Sequence, residues 1–272
     1  MAVQQFDLSL ITHHFGTVQL GTFALKGISE ADKESYSLPC SGMICWQGGN
    51  VLCHWLLSKF ASQIFTEAAG KASVVQNFTV LELGCGLGLA GMLIRNLFPQ
   101  VNVVLTDGDA EAVSATVRNC LHNGITCSSG TESFASESDS AIENTGWCRV
   151  EQLRWGVSAQ LESFLASYCD CRIVVAADVL YQESQVDPLM RTVAAVLSNN
   201  LSHAQNLSCR FVLSYTRRGV PLPLIFETAK LYNLEGVIHE HGCLDIFGEE
   251  CSPECDLLSN CVMVFELVSR LS

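Results

Sequence analysis

The sequence predicts an α/β protein built on a doubly wound, mostly parallel sheet of seven strands. From Val80 onward, apolar runs of strand length alternate with longer segments of helical periodicity, which is typical of βαβ units. A glycine-rich stretch, VLELGCGLGLAG at 80–91, joins the first of these strands to the first helix. The last two strand candidates have no helical pattern between them, so we expect them to form a hairpin whose final strand is antiparallel.

Each element of this sheet follows from a local pattern in the chain. The seven strand candidates are FTVLELG at 78–84, VNVVLTD at 101–107, CRVEQLRW at 148–155, CRIVVAAD at 171–178, CRFVLSYT at 209–216, EGVIHEHG at 235–242 and NCVMVFELV at 260–268. Apolar side chains at helical spacing predict helices over 89–98, 110–123, 158–167, 185–197 and 222–232.

Three further segments lie outside this alternation. Residues 1–35 contain short alternating runs that predict a small hairpin, and residues 43–66 are typical of an apolar loop entering a helix. We expect residues 1–66 to form an N-terminal cap with a covering helix, and residues 67–272 to form the core of the same domain. Residues 126–146 are rich in Ser, Gly and acidic side chains, which predicts a flexible surface insertion.

Composition and charge exclude several classes of function. With 272 residues, 49% of them hydrophobic, the chain can bury a large core. A formal net charge of -13 argues against nucleic acid as a partner, because neutralising phosphates requires clustered Lys and Arg. No apolar stretch approaches the roughly 20 residues of a membrane helix, and the N-terminus lacks a signal-peptide pattern. We therefore expect a soluble monomer in the cytoplasm, with the nucleus as a second location, and no membrane partner.

The cysteines and histidines could in principle form other kinds of site. The 14 cysteines are scattered through apolar segments, where free thiols pack as small hydrophobic groups, so we expect them to be reduced. One candidate zinc cluster lies near the C-terminus, at His239, His241, Cys243, Cys251 and Cys255. Its spacing matches no compact zinc finger, and we expect no metal.

Arg217 and Arg218 could contact an acidic region of a substrate, although a solvated loop is the favoured interpretation.

The glycine loop at 80–91 is the strongest chemical signal in the sequence. Glycines after a strand let the backbone approach a ligand closely, and the helix N-terminus that follows offers free N–H groups. The dinucleotide fingerprint G-x-G-x-x-G would need a small residue where Leu89 stands. The spacing is instead Glu82-x-Gly84-x-Gly86-x-Gly88, and a carboxylate before the glycines suits a ligand that carries a cation. S-adenosylmethionine has such a cation in its amino group.

A second carboxylate follows at the end of the next strand. Asp107 lies where the dinucleotide fold places an acidic residue, about 20 positions on, to accept hydrogen bonds from two ribose hydroxyls. Alternatives remain for both carboxylates. Glu82 could be a structurally paired charge at the strand end, and Asp107 could cap the helix that follows. Asp109 competes with Asp107 for the ribose, but the strand-tip position favours Asp107.

Four stretches in this order resemble the seven-strand methyltransferases that use S-adenosylmethionine, and more narrowly the protein-lysine methyltransferases of methyltransferase family 16. ICWQGGNVLCHWL looks like the family's Trp-containing segment before the sheet, and VLELGCGLGLAG looks like its cofactor loop. VEQLRWG is similar to its third-strand segment ending in Trp, and AADVLY to its Asp-x-x-Tyr/Phe signature. The resemblance covers roughly residues 40–268 and implies a Rossmann-like methyltransferase fold.

The resemblance also implies an activity and a set of site residues. The cofactor would be S-adenosyl-L-methionine, the product S-adenosyl-L-homocysteine, and the acceptor a lysine of a protein substrate, with a basic protein favoured by the acidic chain. Carried over residue by residue, the resemblance implies that the cofactor contacts Trp46, Gly84, Cys85, Gly86, Asp107, Trp155 and Ala177. Asp178 and Tyr181 would face the transferred methyl. The polar, flexible run Gln47-Gly48-Gly49 and the long 126–146 insertion depart from the family pattern.

The chemistry of these side chains agrees with the implied roles. Trp155, beyond a strand end, can stack on adenine, although an ordinary core tryptophan is an equal alternative. Tyr181 offers a π face to a sulfonium or an ammonium group. Asp178 could act as a base, as an orienting acceptor or as a helix cap.

Two other functions of the protein stay open. One is methylation of a small molecule, and the other is a cofactor-binding scaffold without turnover.

Overall fold

The computed structural model describes residues 8–25, 41–57, 78–129, 145–201, 209–217, 219–241 and 260–268. The elements in chain order are β1 (Leu8–Phe15), β2 (Val18–Leu25), a 3₁₀ turn (Ser41–Met43), α1 (Gln47–Trp55), β3 (Thr79–Leu83), α2 (Leu89–Leu97), β4 (Asn102–Asp107), α3 (Ala110–His122), β5 (Ser128–Ser129), β6 (Cys148–Gln152), α4 (Ser158–Ser167), β7 (Cys171–Ala177), a second 3₁₀ turn (Glu183–Gln185), α5 (Val186–Leu201), β8 (Arg210–Thr216), α6 (Leu222–Leu231), β9 (Leu234–His241) and β10 (Asn260–Leu267).

Eight strands form one sheet in the order β5-β6-β4-β3-β7-β8-β10-β9. The pairs from β5 through β8 are parallel, whereas β10 is antiparallel to both β8 and β9. The predicted doubly wound sheet with an antiparallel last strand is therefore confirmed. Because the chain leaves β3 towards β4 and returns on its other side at β7, the strand order reverses between β3 and β7. Open α/β sheets bind ligands at the carboxyl ends of the strands beside such a reversal.

Helices cover both faces of the sheet, with α1, α2, α3 and the hairpin β1–β2 on one face and α4, α5 and α6 on the other. Strand β3 shows how the sequence produces this arrangement. Val80 packs into the first layer, whereas Leu81 and Leu83 pack into the second, since successive strand residues point to opposite faces. Strands buried on both sides favour apolar residues at most positions, which explains why the strand candidates are nearly continuous apolar runs.

The edge of the sheet differs from the prediction of a flexible insertion at 126–146. Ser128 and Ser129 form the short strand β5, which pairs in parallel with Arg149 and Val150 of β6. A two-residue edge strand forms through backbone hydrogen bonds alone, so it leaves no apolar pattern in the sequence. Residues 130–144 of the predicted insertion lie outside the described residues.

The predicted N-terminal hairpin is confirmed as β1 and β2, which pair from Leu8 with Leu25 to Phe15 with Val18. Asn119 of α3 and Asn123, the C-cap residue of the same helix, bind strand β2. The N–H groups of Gly21 and Phe23 donate to Asn123 Oδ1 at 2.8 Å and Asn119 Oδ1 at 2.9 Å. The hairpin is therefore fixed to the same body as the sheet.

A buried histidine ties the hairpin to α1 as well. The ring of His13 hydrogen-bonds Thr22 Oγ1 at 2.9 Å and Asn50 Oδ1 at 3.2 Å. The division of the chain at residue 66 stays a prediction, since residues 58–77 lie outside the described residues.

The ten cysteines of the described ranges are all free thiols, seven of them buried. In the same ranges, no helix is long and apolar enough to cross a membrane.

Candidate functional site

A cavity of about 500 Å³ opens at the carboxyl ends of β3, β4 and β7, beside the reversal of strand order. This volume lies within the range of small-molecule sites. Eight of the eleven residues singled out from the sequence line it, namely Trp46, Gly84, Gly86, Asp107, Trp155, Ala177, Asp178 and Tyr181. These residues come from segments that are far apart in the chain, so the fold gathers them at one place.

The glycine loop forms the floor of this cavity with a backbone that favours glycine. Gly84 and Gly86 have φ angles of 66° and 52°. A Cβ on Gly84 would lie 2.6 Å from Cγ1 of Val179, and one on Gly86 would lie 2.9 Å from the carbonyl oxygen of Gly42. Both positions therefore exclude a side chain, and their backbone is open to a ligand.

Gly88 has a different role from the one predicted. It has a φ of 78° and is the N-cap residue of α2, and a Cβ there would lie 2.7 Å from Cγ2 of Thr116. Gly88 is absent from the cavity lining. Its lack of a side chain serves the packing of the loop on α3, since the Thr116 hydroxyl also donates to the carbonyl oxygen of Gly86 at 2.6 Å.

Glu82 and Cys85 lie behind the loop, on a separate inner cavity of about 50 Å³. Glu82 is 3% exposed, and its Oε2 accepts a hydrogen bond from the N–H of Gly91 at 2.8 Å. Burial raises the pKa of Glu82 to about 8, although the Gly91 bond acts in the opposite direction. Burial also raises the pKa of the Cys85 thiol. Near neutral pH both groups are therefore protonated, and the predicted role of Glu82 as partner of a ligand cation stays a prediction.

Asp107, at the end of β4, is one of three carboxylates that line the large cavity of about 500 Å³, together with Asp109 and Asp178. Its Oδ2 accepts from the N–H of Gly86 at 3.0 Å, and its Oδ1 from the N–H of Asp109 at 2.9 Å. Burial raises its pKa, and these backbone bonds lower it. The helix cap considered for Asp107 is supplied by Asp109, whose Oδ1 accepts from the N–H of Glu111 at 2.9 Å. Asp107 is therefore free of that capping role.

Two tryptophans stand on the walls of the cavity. Trp46 precedes α1, and its indole Nε1 donates to the carbonyl oxygen of Ser41 at 2.9 Å. The ring of Trp155 lies against the loop, 3.2 Å from the position of a Cβ on Gly84. Within the described residues, the buried Nε1 of Trp155 has no hydrogen-bond partner.

The Asp-x-x-Tyr pair follows β7 on the opposite side of the cavity. Asp178 has a φ of 54°, and both of its carboxylate oxygens accept backbone hydrogen bonds. Oδ2 accepts from the N–H of Gly48 at 2.7 Å and Oδ1 from the N–H of Thr216 at 3.0 Å. Tyr181 is half-buried, lines the cavity, and donates its backbone N–H to Oε1 of Gln185 at 3.0 Å.

The structure also corrects the interpretation of the run that follows Trp46. Gln47, Gly48 and Gly49 were expected to be flexible, but they form the first turn of α1. The glycines are therefore part of a regular helix, and the contact of Gly48 with Asp178 gives one of them a specific purpose.

Several cavity residues escaped the sequence analysis. They are Ser41, Gly42, Gly108, Leu153, Arg154, Val179, Ser184, Gln185 and Pro188. Four of these nine lie within two positions of an identified residue, so extending each motif by two positions would have found Gly108, Leu153, Arg154 and Val179. Ser41 and Gly42 carry no such signal, because their position depends on the path of the chain before α1.

The zinc cluster considered from the sequence falls mainly on residues 243, 251 and 255, which lie outside the described residues, as does Arg218. His239 is described, and its ring lies 6.3 Å from that of Trp55. Among the residues that the structure places, no group of three or more His, Cys, Asp or Glu side chains could hold a metal.

The residues of the large cavity fit S-adenosylmethionine. The glycine floor admits close approach of an extended ligand, Asp107 offers carboxylate oxygens to ribose hydroxyls, and Trp155 presents an aromatic ring.

Solved structures with the same fold include several methyltransferases. SMU.776 in its complex with SAH superposes with a TM-score of 0.56 at 10% identity, covering 98% of this chain and 58% of that chain. A SAM-dependent methyltransferase from Agrobacterium tumefaciens gives 0.51 at 10% identity, covering 94% and 70%. At this identity the likeness concerns the fold, which is thereby confirmed as Rossmann-like.

Sequence relatives point in the same direction. Protein-lysine N-methyltransferase EEF2KMT of Mus musculus is 28% identical over 141 residues, which is 52% of this chain and 35% of the mouse protein. The Homo sapiens protein of the same name is 29% identical over 143 residues, covering 52% and 36%. The aligned region thus spans about a third of the length of these relatives. A family profile described as lysine methyltransferase matches residues 31–218, which is more than half of the chain. The chain therefore belongs to the lysine methyltransferase family.

Proposed function

We propose that this protein is an S-adenosylmethionine-dependent methyltransferase that modifies a lysine side chain of a protein substrate. The observation that carries the proposal is that eight residues identified from the sequence line one cavity, beside the reversal of strand order in the sheet. Family membership supports the reaction class, and the name of the mouse and human relatives supports lysine as the acceptor.

The chain's own residues divide into a cofactor side and an acceptor side. On the cofactor side, the backbone of Gly84 and Gly86 and the carboxylate of Asp107 would bind and orient S-adenosylmethionine, with Trp155 against its adenine. When bound, the cofactor supplies an electrophilic methyl group on a sulfonium. On the acceptor side, Asp178 and Tyr181 border the same space. Catalysis would come mostly from holding the two reactants in position.

On the acceptor side, Asp178 would orient the amine. Each of its carboxylate oxygens accepts one backbone N–H, at 2.7 Å and 3.0 Å, which fixes the side chain at the border of the cavity. The amine would lose its proton to solvent before attack. The ring of Tyr181 would offer a π face to the positive charge, which lies on the sulfonium before the transfer and on the methylated amine after it.

The negative net charge of the chain favours one kind of protein substrate. A net charge of -13 favours encounter with a basic protein, and we propose such a protein as substrate. We also propose that the protein acts as a monomer in the cytoplasm, with the nucleus as the alternative location.

Binding of the product tests the cofactor assignment. Isothermal titration with S-adenosylhomocysteine should show binding by the unaltered protein, and Gly86→Arg should abolish it by filling the floor of the cavity. Gly16→Arg is the matched control, since Gly16 also has a positive φ, 58°, but no atom of the residues that the structure describes lies within 4 Å of its Cβ position. Circular dichroism shows whether each variant is folded. Absence of binding by folded, unaltered protein would refute the proposal.

Transfer of a labelled methyl group tests the acceptor. The protein is incubated with cell extract and S-adenosylmethionine carrying a radioactive methyl, and the label is followed into protein and low-mass fractions. Recovery of methyl-lysine after acid hydrolysis of the protein fraction would support the proposal. Label only in the low-mass fraction would indicate a small-molecule methyltransferase, and binding without transfer would indicate a scaffold.

A further inference from the structure

The carboxylate of Asp178 joins three separate segments of the chain. It accepts hydrogen bonds from the N–H of Gly48 at 2.7 Å and the N–H of Thr216 at 3.0 Å. The backbone N–H of Asp178 itself donates to the carbonyl oxygen of Ser214 at 3.0 Å. One side chain at the end of β7 therefore connects the start of α1 with the end of β8.

Asp178 provides a hydrogen-bond acceptor at the start of α1. The N-cap residue of this helix is Trp46, whose side chain makes no capping hydrogen bond, although its carbonyl oxygen accepts from the N–H of Gly49 at 3.3 Å. Oδ2 of Asp178 accepts from the N–H of the second residue of the helix, Gly48. A negative charge at a helix N-terminus is also favourable with respect to the helix dipole.

The two glycines of this turn meet different surroundings. A Cβ on Gly48 would lie 2.5 Å from Cγ of Asp178 and 2.7 and 2.8 Å from its two carboxylate oxygens. Among the atoms of the described residues, a Cβ on Gly49 would have only Cδ2 of Leu89 within 4 Å, at 4.0 Å. Glycine is therefore required at position 48, where the carboxylate approaches the helix. At position 49 an alanine would be tolerated.

Asp178 itself adopts an unusual backbone conformation to make this contact. Its φ of 54° lies in the left-handed region, which residues other than glycine enter only when their surroundings enforce it. In this conformation the chain turns at the end of β7 so that the carboxylate can reach both Gly48 and Thr216. Such enforced conformations cluster at functional sites.

The hydrogen bond between Asp178 and Gly48 positions one wall of the large cavity. Trp46 directly precedes α1 and lines the cavity together with Ser41 and Gly42. The carbonyl oxygen of Gly42 lies 2.9 Å from the Cβ position of Gly86, so this wall also determines how closely the glycine floor is covered. Displacing the first turn of α1 would move the wall relative to the floor.

We infer that Gly48, Asp178 and Thr216 form a clip that positions the wall 41–46 over the cofactor cavity, with Gly48 and Asp178 as positioning residues that act through the backbone of α1. This inference rests on the proposed function, because the wall matters for catalysis only if the cavity holds the cofactor. It assigns a purpose to the absence of a side chain at Gly48.

The experiment compares Gly48→Ala with Gly49→Ala, two identical changes in adjacent residues of one helix turn. Hydrogen–deuterium exchange of the segment 41–57, followed by mass spectrometry, reports the docking of the wall without any ligand. Isothermal titration with S-adenosylhomocysteine reports the cavity. We expect Gly48→Ala to speed exchange and to weaken binding by about tenfold or more, since misplacement of this kind is costly, and Gly49→Ala to change affinity by less than about twofold.

A second pair of variants separates a lost clip from a general loss of structure. Asp178→Ala removes the group with which the new methyl would clash, so adding Gly48→Ala to Asp178→Ala should produce little further change. Equal effects of the two glycine variants, or effects of Gly48→Ala and Asp178→Ala that simply add, would overturn the clip.

Failure of the proposed function would look different from failure of the clip. If the unaltered protein does not bind S-adenosylhomocysteine, the proposed function has failed, and the exchange measurement still decides whether Gly48 and Asp178 hold the wall. If it binds but exchange in 41–57 is the same in both glycine variants, the clip has failed and the proposed function stands.

Discussion

A Glu82→Gln variant should remove a pH dependence of stability that the buried carboxyl of β3 gives to the protein. Glu82 is 3% exposed, and burial raises its pKa from 4.5 to about 8. In the unfolded chain the carboxyl loses its proton above about pH 4.5, whereas in the folded protein it keeps the proton up to about pH 8. The unfolded state binds fewer protons in this window, so the free energy of unfolding should fall as pH rises.

The size of the effect follows from the two pKa values. Each pKa unit corresponds to about 1.4 kcal/mol, so the difference between 4.5 and about 8 amounts to as much as about 5 kcal/mol across the window. Glutamine cannot ionise, but it retains a side-chain oxygen for the N–H of Gly91. The variant should therefore match the unaltered protein near pH 5 and exceed its stability by several kcal/mol near pH 9.

Urea titration followed by circular dichroism, at a series of pH values between about 5 and 9, measures this difference directly. Contributions from other groups, such as the raised pKa of Asp107, are present in both proteins and largely cancel. Glu162→Gln, which changes an exposed carboxylate on α4, serves as the matched control and should leave the pH dependence as it is. If the curves of the Glu82 variant and the unaltered protein run parallel, Glu82 is ionised in the folded state and the reasoning is wrong.

Three further outcomes are expected. Gly84→Ala should weaken S-adenosylhomocysteine binding by about tenfold or more in calorimetric titration, because its Cβ would lie 2.6 Å from a valine methyl. Gly124→Ala, also at positive φ but with no atom of the described part of the chain within 4 Å of its Cβ position, should bind normally. Asp109→Ala removes the N-cap of α3 and should lower the free energy of unfolding in urea by about 1 kcal/mol, and an unchanged value would contradict the capping role. Burial lowers the pKa of His13, so the unfolded chain takes up a proton first as pH falls below about 6.5 and stability declines there. His13→Gln should flatten this decline in the same titration.

The parts of the site that the sequence predicted are those with local causes. The apolar run of β3 and the glycine spacing after it are read within a dozen residues, and both Gly84 and Gly86 line the cavity. Asp107 was predicted because a strand end in a parallel sheet has a known direction relative to the ligand. These inferences need only the period of a strand and the conformational freedom of glycine.

The parts that the sequence did not predict depend on contacts between distant segments. Gly42 shapes the floor at Gly86, 44 positions further along the chain, and nothing near Gly42 indicates this contact. Gly88 shares the spacing of the other loop glycines, but its lack of a side chain serves packing against Thr116. Whether a loop glycine faces a ligand or a neighbouring helix is decided by the packing of the two elements.

The hydrogen bonds between the N-terminal hairpin and α3 have a consequence for how the chain can be shortened. The amide of Asn123 accepts from the N–H of Gly21 at 2.8 Å and donates to its carbonyl oxygen at 2.7 Å, as a residue of an adjoining strand would. This pairing occupies part of the edge of β2 that could otherwise recruit a strand from another molecule. The amide of Asn119 joins the N–H of Phe23 to the carbonyl oxygen of Leu87 in the glycine loop. Cutting away the hairpin would leave this buried amide without one partner beside the cofactor loop, so a shorter chain for biochemical work should retain residues 8–25.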